Sequence, residues 1–182
     1  MLYCSEFAAG ICKLFIVCSE NFIEEIDIEQ KDLQFSKYIS EKLKNSNLKL
    51  SPQDKERPAF SYLNDLLDLL DNYFSGKQTS FDLIPVNFRY YSDFAKTVLI
   101  KTRLIPCGTT MSYMDLTSCA GFDKKYSRAV ASVLASNKTP IVIPCHRVIM
   151  SNGATGGYSG GEGNTLKIKL LSLESAFAFK SN

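Results

Sequence analysis

The chain has 182 residues, 45% of them hydrophobic and 22% charged, which suffices for one ordinary domain or for two small domains that share an interface. Its net charge of +2 is uneven, because residues 1–92 hold 10 Lys and Arg against 14 Asp and Glu while residues 93–182 hold 11 against 5. No apolar run approaches the roughly 18 residues that span a bilayer, which excludes a transmembrane helix. The basic second half favours a polyanionic partner, nucleic acid first.

The N-terminus, MLYCSEFAAG, lacks the basic and long apolar regions of a signal peptide. A soluble intracellular protein is therefore expected, cytoplasmic in a prokaryote or nuclear in a eukaryote. The six cysteines form no CxxC pair and are expected to be reduced, most of them as small buried hydrophobic residues. Because the chain has a single histidine, no structural zinc site is predicted.

Short segments rich in aromatic and branched residues predict an antiparallel meander in the first thirty residues: MLYCSEFA, ICKLFIVCS and FIEEIDI. A helix is predicted over residues 31–44, followed by a polar loop over residues 44–58. SYLNDLLDLLDNYFSG then predicts an amphipathic helix that Gly76 ends, with apolar residues at helical spacing: Leu63, Leu66, Leu67, Leu70 and Phe74. An extended connector follows, and a domain boundary is predicted near residue 92.

The second half is predicted to begin with a helix over about 93–104. Ser112 and Asp115 fit a capping box, so a second helix is predicted to start at Tyr113 and to end near Gly121. KKYSRAVASVLASN predicts a third helix with one apolar face: Ala129, Val130, Val133 and Leu134. Two short helices joined by a Gly-containing turn are typical of a helix-turn-helix, although many such corners bind nothing.

The segment SNGATGGYSGGEGN holds six glycines in fourteen residues. This composition suits close approach of the backbone to a ligand, but it also occurs in floppy surface loops. The last helix is predicted over about 165–178, with one apolar stripe: Leu166, Leu170, Leu173 and Phe177. Glu174 lies beside that stripe and is a candidate to point inward.

The segment IVIPCHRVIM places Cys145 beside His146, the only histidine of the chain. A free thiol has a pKa near ~8.5, so a nucleophilic cysteine needs a base or a cation that favours the thiolate. Neighbours in a regular strand point to opposite faces, but Pro144 breaks that geometry and a bridging water could relay the proton. Glu174 is the candidate carboxylate that orients His146. The alternative is an inert cysteine and a satisfied histidine in a core strand.

Several segments resemble the O6-alkylguanine-DNA alkyltransferases, also called methylated-DNA–protein-cysteine methyltransferases. They are PIVIPCHRVI, GATGGYSGG, LLSLE, IPCGTTMSY, SRAVASVLASN and DNYFSGKQTSFDL, and the strong part of the resemblance covers roughly residues 94–177. The resemblance implies an α+β fold. A small N-terminal antiparallel sheet with a helix, ribonuclease H-like, precedes a winged helix-turn-helix-like domain that carries the active site. The implied domains are residues 1–92 and 93–182.

The resemblance also implies a reaction. Cys145 accepts the alkyl group from guanine O6 in duplex DNA, once per molecule, and O4-methylthymine is a second candidate substrate. His146 takes the thiol proton through a water, Glu174 orients His146, and Tyr113 donates a hydrogen bond or a proton to O6. Asn137 braces the turn that precedes the active-site segment. Neither a cofactor nor a metal is implied.

The same resemblance implies which residues meet the DNA. The pocket for the flipped base is lined by Tyr158, Ser159, Gly156, Val148 and Leu134. Arg128 enters the base stack as a finger, and further DNA contacts come from Tyr126, Ser127, Ala129, Met114, Ser151, Lys124 and Lys125. The implied partner is double-stranded DNA that contains O6-alkylguanine. No membrane and no obligate protein partner are expected, and the chain is expected to act as a monomer.

The chain departs from the family pattern at three places. Tyr126 and Ser127 precede Arg128 where many relatives have small residues or proline, which bears on the fit to the minor groove. Ile100 or Leu99 replaces a tryptophan, and the Cys and His set of an N-terminal zinc site is missing. Three other classes stay open: a lesion-binding alkyltransferase-like protein without activity, a winged-helix regulator that uses its cysteine as a sensor, and a cysteine hydrolase.

Overall fold

The computed structural model describes residues 2–29, 38, 40, 50–52, 60–160 and 163–180. The helix predicted over residues 31–44 and the loop predicted over residues 44–58 therefore lie almost wholly outside the described residues. The side chain of Phe177, which is predicted on the apolar stripe of the last helix, lies outside them as well.

The N-terminal half is built on a four-stranded sheet in the order β3-β2-β1-β4. Strands β1 (Leu2–Ala9), β2 (Cys12–Cys18) and β3 (Ile23–Ile28) pair antiparallel, which confirms the predicted meander. Strand β4 (Leu50–Pro52) adds parallel to β1 at the edge. The sequence of β2 is apolar over most of its length because both of its faces are covered.

Helix α1 (Ser61–Phe74) packs beside this sheet through one buried stripe: Leu63, Leu66, Leu70 and Tyr73. The predicted helix is confirmed, and Gly76 follows it with a φ of +83°, a left-handed conformation that suits the end of a helix. Its buried face differs from the prediction, because Leu67 and Phe74 are only half-buried. A stripe with steps of three and four residues from Leu63 selects Tyr73 in their place.

In the described part of the second half, four helices follow in chain order: α2 (Asp93–Arg103), α3 (Tyr113–Cys119), α4 (Ser127–Ala135) and α5 (Asn164–Lys180). A parallel pair of short strands, β5 (Met111–Ser112) and β6 (Val148–Ile149), ties the start of α3 to the segment after Cys145. None of the helices that the structure describes combines the length and the hydrophobicity needed to cross a bilayer.

Helices α3 and α4 form the predicted helix-turn-helix around Gly121, whose φ is +84°. Ser112 caps α3 as predicted, since its hydroxyl oxygen accepts a hydrogen bond from the Asp115 amide at 3.0 Å. The same hydroxyl donates to the Asp115 carboxylate at 2.6 Å. The first turn of this helix is therefore held by a local pair that the sequence alone reveals.

Helix α4 differs from its prediction at its start. Residues 124–126 form a 3₁₀ turn, and the α-helix begins only at Ser127. The apolar face consists of Val130, Val133 and Leu134, at the i, i+3 and i+4 positions of one stripe. Ala129 is exposed, so its placement on that face is wrong, and it is free to lie on the outer side with Arg128.

One cluster of buried apolar side chains runs through both halves of the chain, from Leu14 of β2 and Leu70 of α1 to Leu170 of α5. A second, smaller cluster covers the other face of the sheet: Cys4, Phe15, Val17 and Tyr38. Because the larger cluster is shared, a side chain on α1 can reach residues of α5.

Candidate active site

The segment that carries Cys145 is a turn and not a core strand. Cys145–Arg147 form a 3₁₀ turn, with Cys145 7% exposed and His146 fully buried. Pro144 has φ −80° and ψ 62°, and the Cys145 amide donates to the Ile143 carbonyl at 2.8 Å, which together make an inverse γ-turn. The alternative that Cys145 and His146 lie in a core strand is therefore wrong, and the expectation that Pro144 breaks regular strand geometry is confirmed.

Asn137 holds this turn against the end of α4. Its side-chain amide donates to the Ile143 carbonyl at 2.9 Å and lies 3.3 Å from the Cys145 sulfur. Its amide oxygen accepts from the Thr139 amide at 3.1 Å. Ile141, between these contacts, adopts a φ of +74°, which is costly for a β-branched residue and persists only where its surroundings enforce it. One side chain thus links the helix, the strained turn and the thiol.

We expect Asn137→Ala to lower the free energy of unfolding by roughly 1–3 kcal/mol, because two hydrogen bonds of the turn are lost. Urea denaturation of both proteins measures this difference. Asn21→Ala, at an exposed asparagine in the turn between β2 and β3, is the matched control and is expected to change stability by less than about 0.5 kcal/mol. Equal midpoints for wild type and Asn137→Ala would show that Asn137 does not brace the turn.

His146 and Glu174 form a buried pair. The Nε2 atom of His146 lies 2.8 Å from Oε1 of Glu174, and Nδ1 has no hydrogen-bond partner in the described part of the chain. Burial lowers the pKa of His146, although Glu174 opposes the shift. The imidazole is therefore neutral near pH 7, with its proton on Nε2 toward the carboxylate and Nδ1 left as an acceptor.

The Glu174 carboxylate is held by more donors than the sequence suggests. Arg147 donates from Nε to Oε2 and from Nη2 to Oε1, each at 2.9 Å, while the Gly108 amide donates to Oε2 at 3.1 Å. The Tyr73 hydroxyl donates to Oε1 at 2.7 Å. Burial by itself would raise the pKa of Glu174, but the hydrogen bonds from His146 and Arg147 lower it below its usual range.

Lys167 of α5 is a buried cation near the thiol. Its side chain is fully buried, and its ammonium group donates to the Val148 carbonyl at 2.7 Å. Burial lowers the pKa of Lys167, and its charge lowers the pKa of Cys145. Burial nevertheless raises the pKa of the Cys145 thiol overall, against the hydrogen bond from Asn137. The resting group is therefore a thiol, and it needs a base to become a nucleophile.

A cavity of about 340 Å³ opens onto Cys145. It is lined by Tyr113, Ala131, Leu134, Ala135, Cys145, Gly157, Tyr158 and Ser159. The Ser159 hydroxyl donates to the Ala135 carbonyl at 3.1 Å, which pins the glycine-rich segment to the end of α4. The cavity is large enough for a small planar ligand.

Two of the residues expected in this pocket lie beside it. Gly156, at a φ of +69°, faces Tyr113: a Cβ on Gly156 would approach the tyrosine ring and hydroxyl within 3.4 Å. Val148 is fully buried in the core and does not line the cavity. Tyr158 has a buried hydroxyl without a partner in the described residues, and burial raises the pKa of Tyr158 well above its ordinary value.

Most of the residues expected to touch DNA are exposed. Those at the start of α3, in the 3₁₀ turn, at the start of α4 and after β6 are exposed: Met114, Lys124, Lys125, Tyr126, Arg128, Ala129 and Ser151. Ser127 is half-buried, and Tyr126 is 47% exposed with the Lys125 ammonium 5.3 Å from its ring centroid. Tyr126 therefore points outward from the helix-turn-helix.

The cysteines are less uniform than predicted. All six are free thiols, but only Cys4, Cys18 and Cys145 are buried. Cys12 and Cys107 are half-buried, and Cys119 is exposed at the end of α3. The prediction that most of them are small buried residues is correct for half of the set.

The fold and the site together define a helix-turn-helix protein that carries a buried thiol beside an imidazole–carboxylate pair. Residues 3–88 match the family model described as 6-O-methylguanine DNA methyltransferase, ribonuclease-like domain. Residues 93–176 match the model described as 6-O-methylguanine DNA methyltransferase, DNA binding domain.

The chain is 30% identical over 156 residues to the methylated-DNA–protein-cysteine methyltransferase of Shigella flexneri, a match that covers 86% of each chain. It is 38% identical over 112 residues to that of Methanothermobacter thermautotrophicus, covering 62% of this chain but only 61% of the archaeal relative. The crystal structure of Mycobacterium tuberculosis OGT in complex with DNA matches with a TM-score of 0.76 and 27% identity, over 96% of this chain and 94% of that chain. The chain belongs to the family of methylated-DNA–protein-cysteine methyltransferases, and the resemblance read from its sequence is confirmed.

Proposed function

We propose that this protein repairs DNA by moving the alkyl group of O6-alkylguanine in duplex DNA onto Cys145, once per molecule and without a cofactor. The position of the Cys145 thiol carries the proposal. It lines a cavity together with Tyr113 and Tyr158, and the next residue in the chain is a neutral histidine that Glu174 orients. A thiol that only filled core space would need neither the cavity nor the buried base.

The chemistry follows from these contacts. His146 Nδ1, free of protein partners among the described residues, takes the thiol proton through a bridging water. The thiolate attacks the alkyl carbon, so the sulfur–carbon bond forms while the carbon–O6 bond breaks. Tyr113 donates to O6 as negative charge develops there, and burial raises its pKa, which keeps the hydroxyl protonated. The product is a thioether on the protein, and no group of the described site can reverse it.

The lesion must leave the base stack to reach this thiol, because Cys145 is buried and lines a cavity. The exposed surface with Lys124, Lys125 and Arg128 supplies positive charge for phosphates and a long side chain to fill the gap. The crystal structure of Mycobacterium tuberculosis OGT is a complex with DNA, which supports the same partner for this chain. Tyr126, exposed beside Arg128, is available to contact the backbone at that surface.

Arg128→Ala is expected to slow transfer from duplex DNA by about 10- to 100-fold, because unstacking a base step costs a few kcal/mol that the finger offsets. Single-turnover transfer from methylated duplex measures this loss. Transfer from the free O6-benzylguanine base, which needs no flipping, is expected to stay near the wild-type rate. Arg89→Ala, at an exposed arginine of the N-terminal half, is the matched control. An equal loss with duplex and free base would contradict a finger role.

A duplex that carries radiolabelled O6-methylguanine tests the proposal as a whole. Label is expected on the Cys145 peptide, whatever sequence surrounds the lesion. A sequence-specific regulator would instead bind one unmodified operator tightly and acquire no label. A cysteine hydrolase would show an acyl-enzyme burst with ester substrates, and a lesion-binding protein would hold the duplex without transfer.

We also propose the division into residues 1–92 and 93–182 and action as a monomer without an obligate protein partner, inside the cell where the DNA is. The family matches end at residue 88 and begin at residue 93, on either side of the proposed boundary, which supports the division. Sedimentation of the protein alone and with a short duplex tests the monomer: a protein-to-duplex ratio of one is expected on a duplex just long enough for one molecule.

A further inference from the structure

Tyr73 belongs to the N-terminal half of the chain, yet its hydroxyl lies in the active-site network. The side chain is fully buried on α1, and its hydroxyl donates to Glu174 Oε1 at 2.7 Å across 101 positions of sequence. We propose that Tyr73 is a positioning residue for alkyl transfer, which fixes the Glu174 carboxylate so that Oε1 faces Nε2 of His146. This role rests on the proposed function, and it gives the N-terminal half a direct contribution to the active site.

The three side chains meet at one atom. Oε1 of Glu174 accepts from the Tyr73 hydroxyl and from Arg147 Nη2 at 2.9 Å, and it lies 2.8 Å from His146 Nε2. The Tyr73 oxygen lies 3.5 Å from the same His146 nitrogen, too far to compete with the carboxylate for its proton. The proton therefore stays on Nε2, and Nδ1 stays the acceptor on which the relay depends.

The ring of Tyr73 is itself held in place. It packs edge-on against Phe74, with centroids 5.1 Å apart, and against Phe81, with centroids 5.8 Å apart. Burial and the Glu174 charge raise the pKa of Tyr73, so its hydroxyl remains a donor throughout the working pH range. A phenylalanine at this position keeps both ring contacts and removes only the donor.

Removing that donor leaves Arg147 and Gly108 to hold the carboxylate, with one fewer bond on the oxygen that orients His146. Outer partners that orient metal-ligating histidines are worth about 10- to 100-fold in affinity or activity, and we take the lower end for a histidine that acts as a base. Tyr73→Phe is therefore expected to lower the single-turnover rate constant at saturating lesion duplex by roughly 10-fold. The Kd for the duplex is expected to stay within about twofold, because Tyr73 is fully buried and cannot contact the duplex itself.

Tyr62→Phe is the matched control. Tyr62 lies on the same helix and donates to the backbone carbonyls of Ser19 and Phe22, so the variant also loses a tyrosine hydroxyl from α1. It is expected to transfer at the wild-type rate. A comparable loss in both variants would show that α1 acts only through the stability of the fold, and it would overturn the proposal.

A double-mutant comparison separates positioning from packing. In a His146→Asn background, Tyr73→Phe is expected to add no further loss, because the histidine that the hydroxyl serves is gone. The same roughly 10-fold loss in both backgrounds would overturn the proposal.

The same comparison with iodoacetamide keeps the inference apart from the proposed function. Alkylation of Cys145, followed by mass spectrometry of its peptide, reports thiol activation without DNA. If wild type takes no methyl group from DNA, the proposed function fails. If Tyr73→Phe slows iodoacetamide alkylation of Cys145 in the wild-type background but not in the His146→Asn background, the positioning role of Tyr73 is still supported. Equal alkylation rates in wild type and Tyr73→Phe would overturn it.

Discussion

Cys145→Ser is expected to bind lesion-containing duplex DNA as wild type does and to transfer no measurable alkyl group. Serine keeps the size of the side chain and an atom that can accept from Asn137, which lies 3.3 Å from the sulfur. It does not supply a thiolate, and a serine hydroxyl is a far weaker nucleophile than a thiolate in a displacement at an alkyl carbon. The DNA contacts proposed above involve exposed residues of α3 and α4, so binding is expected to be unaffected.

Gel-shift titration and label transfer measure these two properties on the same preparation. Cys119→Ser is the matched control, because Cys119 is an exposed free thiol at the end of α3. It is expected to transfer fully. Label on Cys145→Ser, or loss of label from Cys119→Ser, would show that a residue other than Cys145 accepts the group.

Glu174→Gln is expected to lower the free energy of unfolding by about 3–5 kcal/mol, because it leaves Arg147 buried without its counter-charge. Arg147 is 5% exposed, and its Nη1 also donates to the uncharged Ile105 carbonyl at 2.6 Å. Transfer is expected to fall as well, because a neutral amide lacks the negative charge with which the carboxylate orients His146 and stabilises its Nε2 proton. Glu20→Gln, at an exposed turn, is the control and is expected to change stability by less than about 0.5 kcal/mol.

The same network gives a stability that depends on pH. The folded pKa of Glu174 is lowered, so its contribution is present above the unfolded value of about 4.3 and is lost as the pH falls through the folded pKa. Urea midpoints of wild type are therefore expected to decrease with acid below that value. Those of Glu174→Gln are expected to decrease less, and parallel curves for the two proteins would contradict the assignment of the lowered pKa to Glu174.

Features that depend on local pattern are predictable from sequence. The cap at Ser112, the helix of residues 61–74 and the inward Glu174 each follow from neighbours within a few positions. Three of the five apolar residues predicted on α1 are buried, namely Leu63, Leu66 and Leu70, but both Leu67 and Tyr73 fit a broad apolar stripe. Only the sheet and the second half decide which of the two is covered.

The roles of Arg147 and Tyr73 escape prediction because their partner is distant in sequence, 27 positions away for Arg147 and 101 for Tyr73. An arginine inside the apolar run IVIPCHRVIM does carry a warning, since a buried guanidinium needs a carboxylate. Lys167 gives a similar indication of a buried charge. It precedes Leu170 by three positions and Glu174 by seven, which places all three on the buried side of α5. A charged residue at a stripe position indicates a buried network, even when sequence cannot name its partners.

The stoichiometry of transfer tests the central claim most directly. A fixed amount of protein is incubated with a large excess of duplex that carries labelled O6-methylguanine, and both protein-bound label and repaired guanine are counted to completion. The expected result is one methyl group on Cys145 per chain, one guanine restored for each, and no further repair on longer incubation. Repair of several lesions per chain, or repair without label on Cys145, would contradict a reaction in which the thiol is the final acceptor.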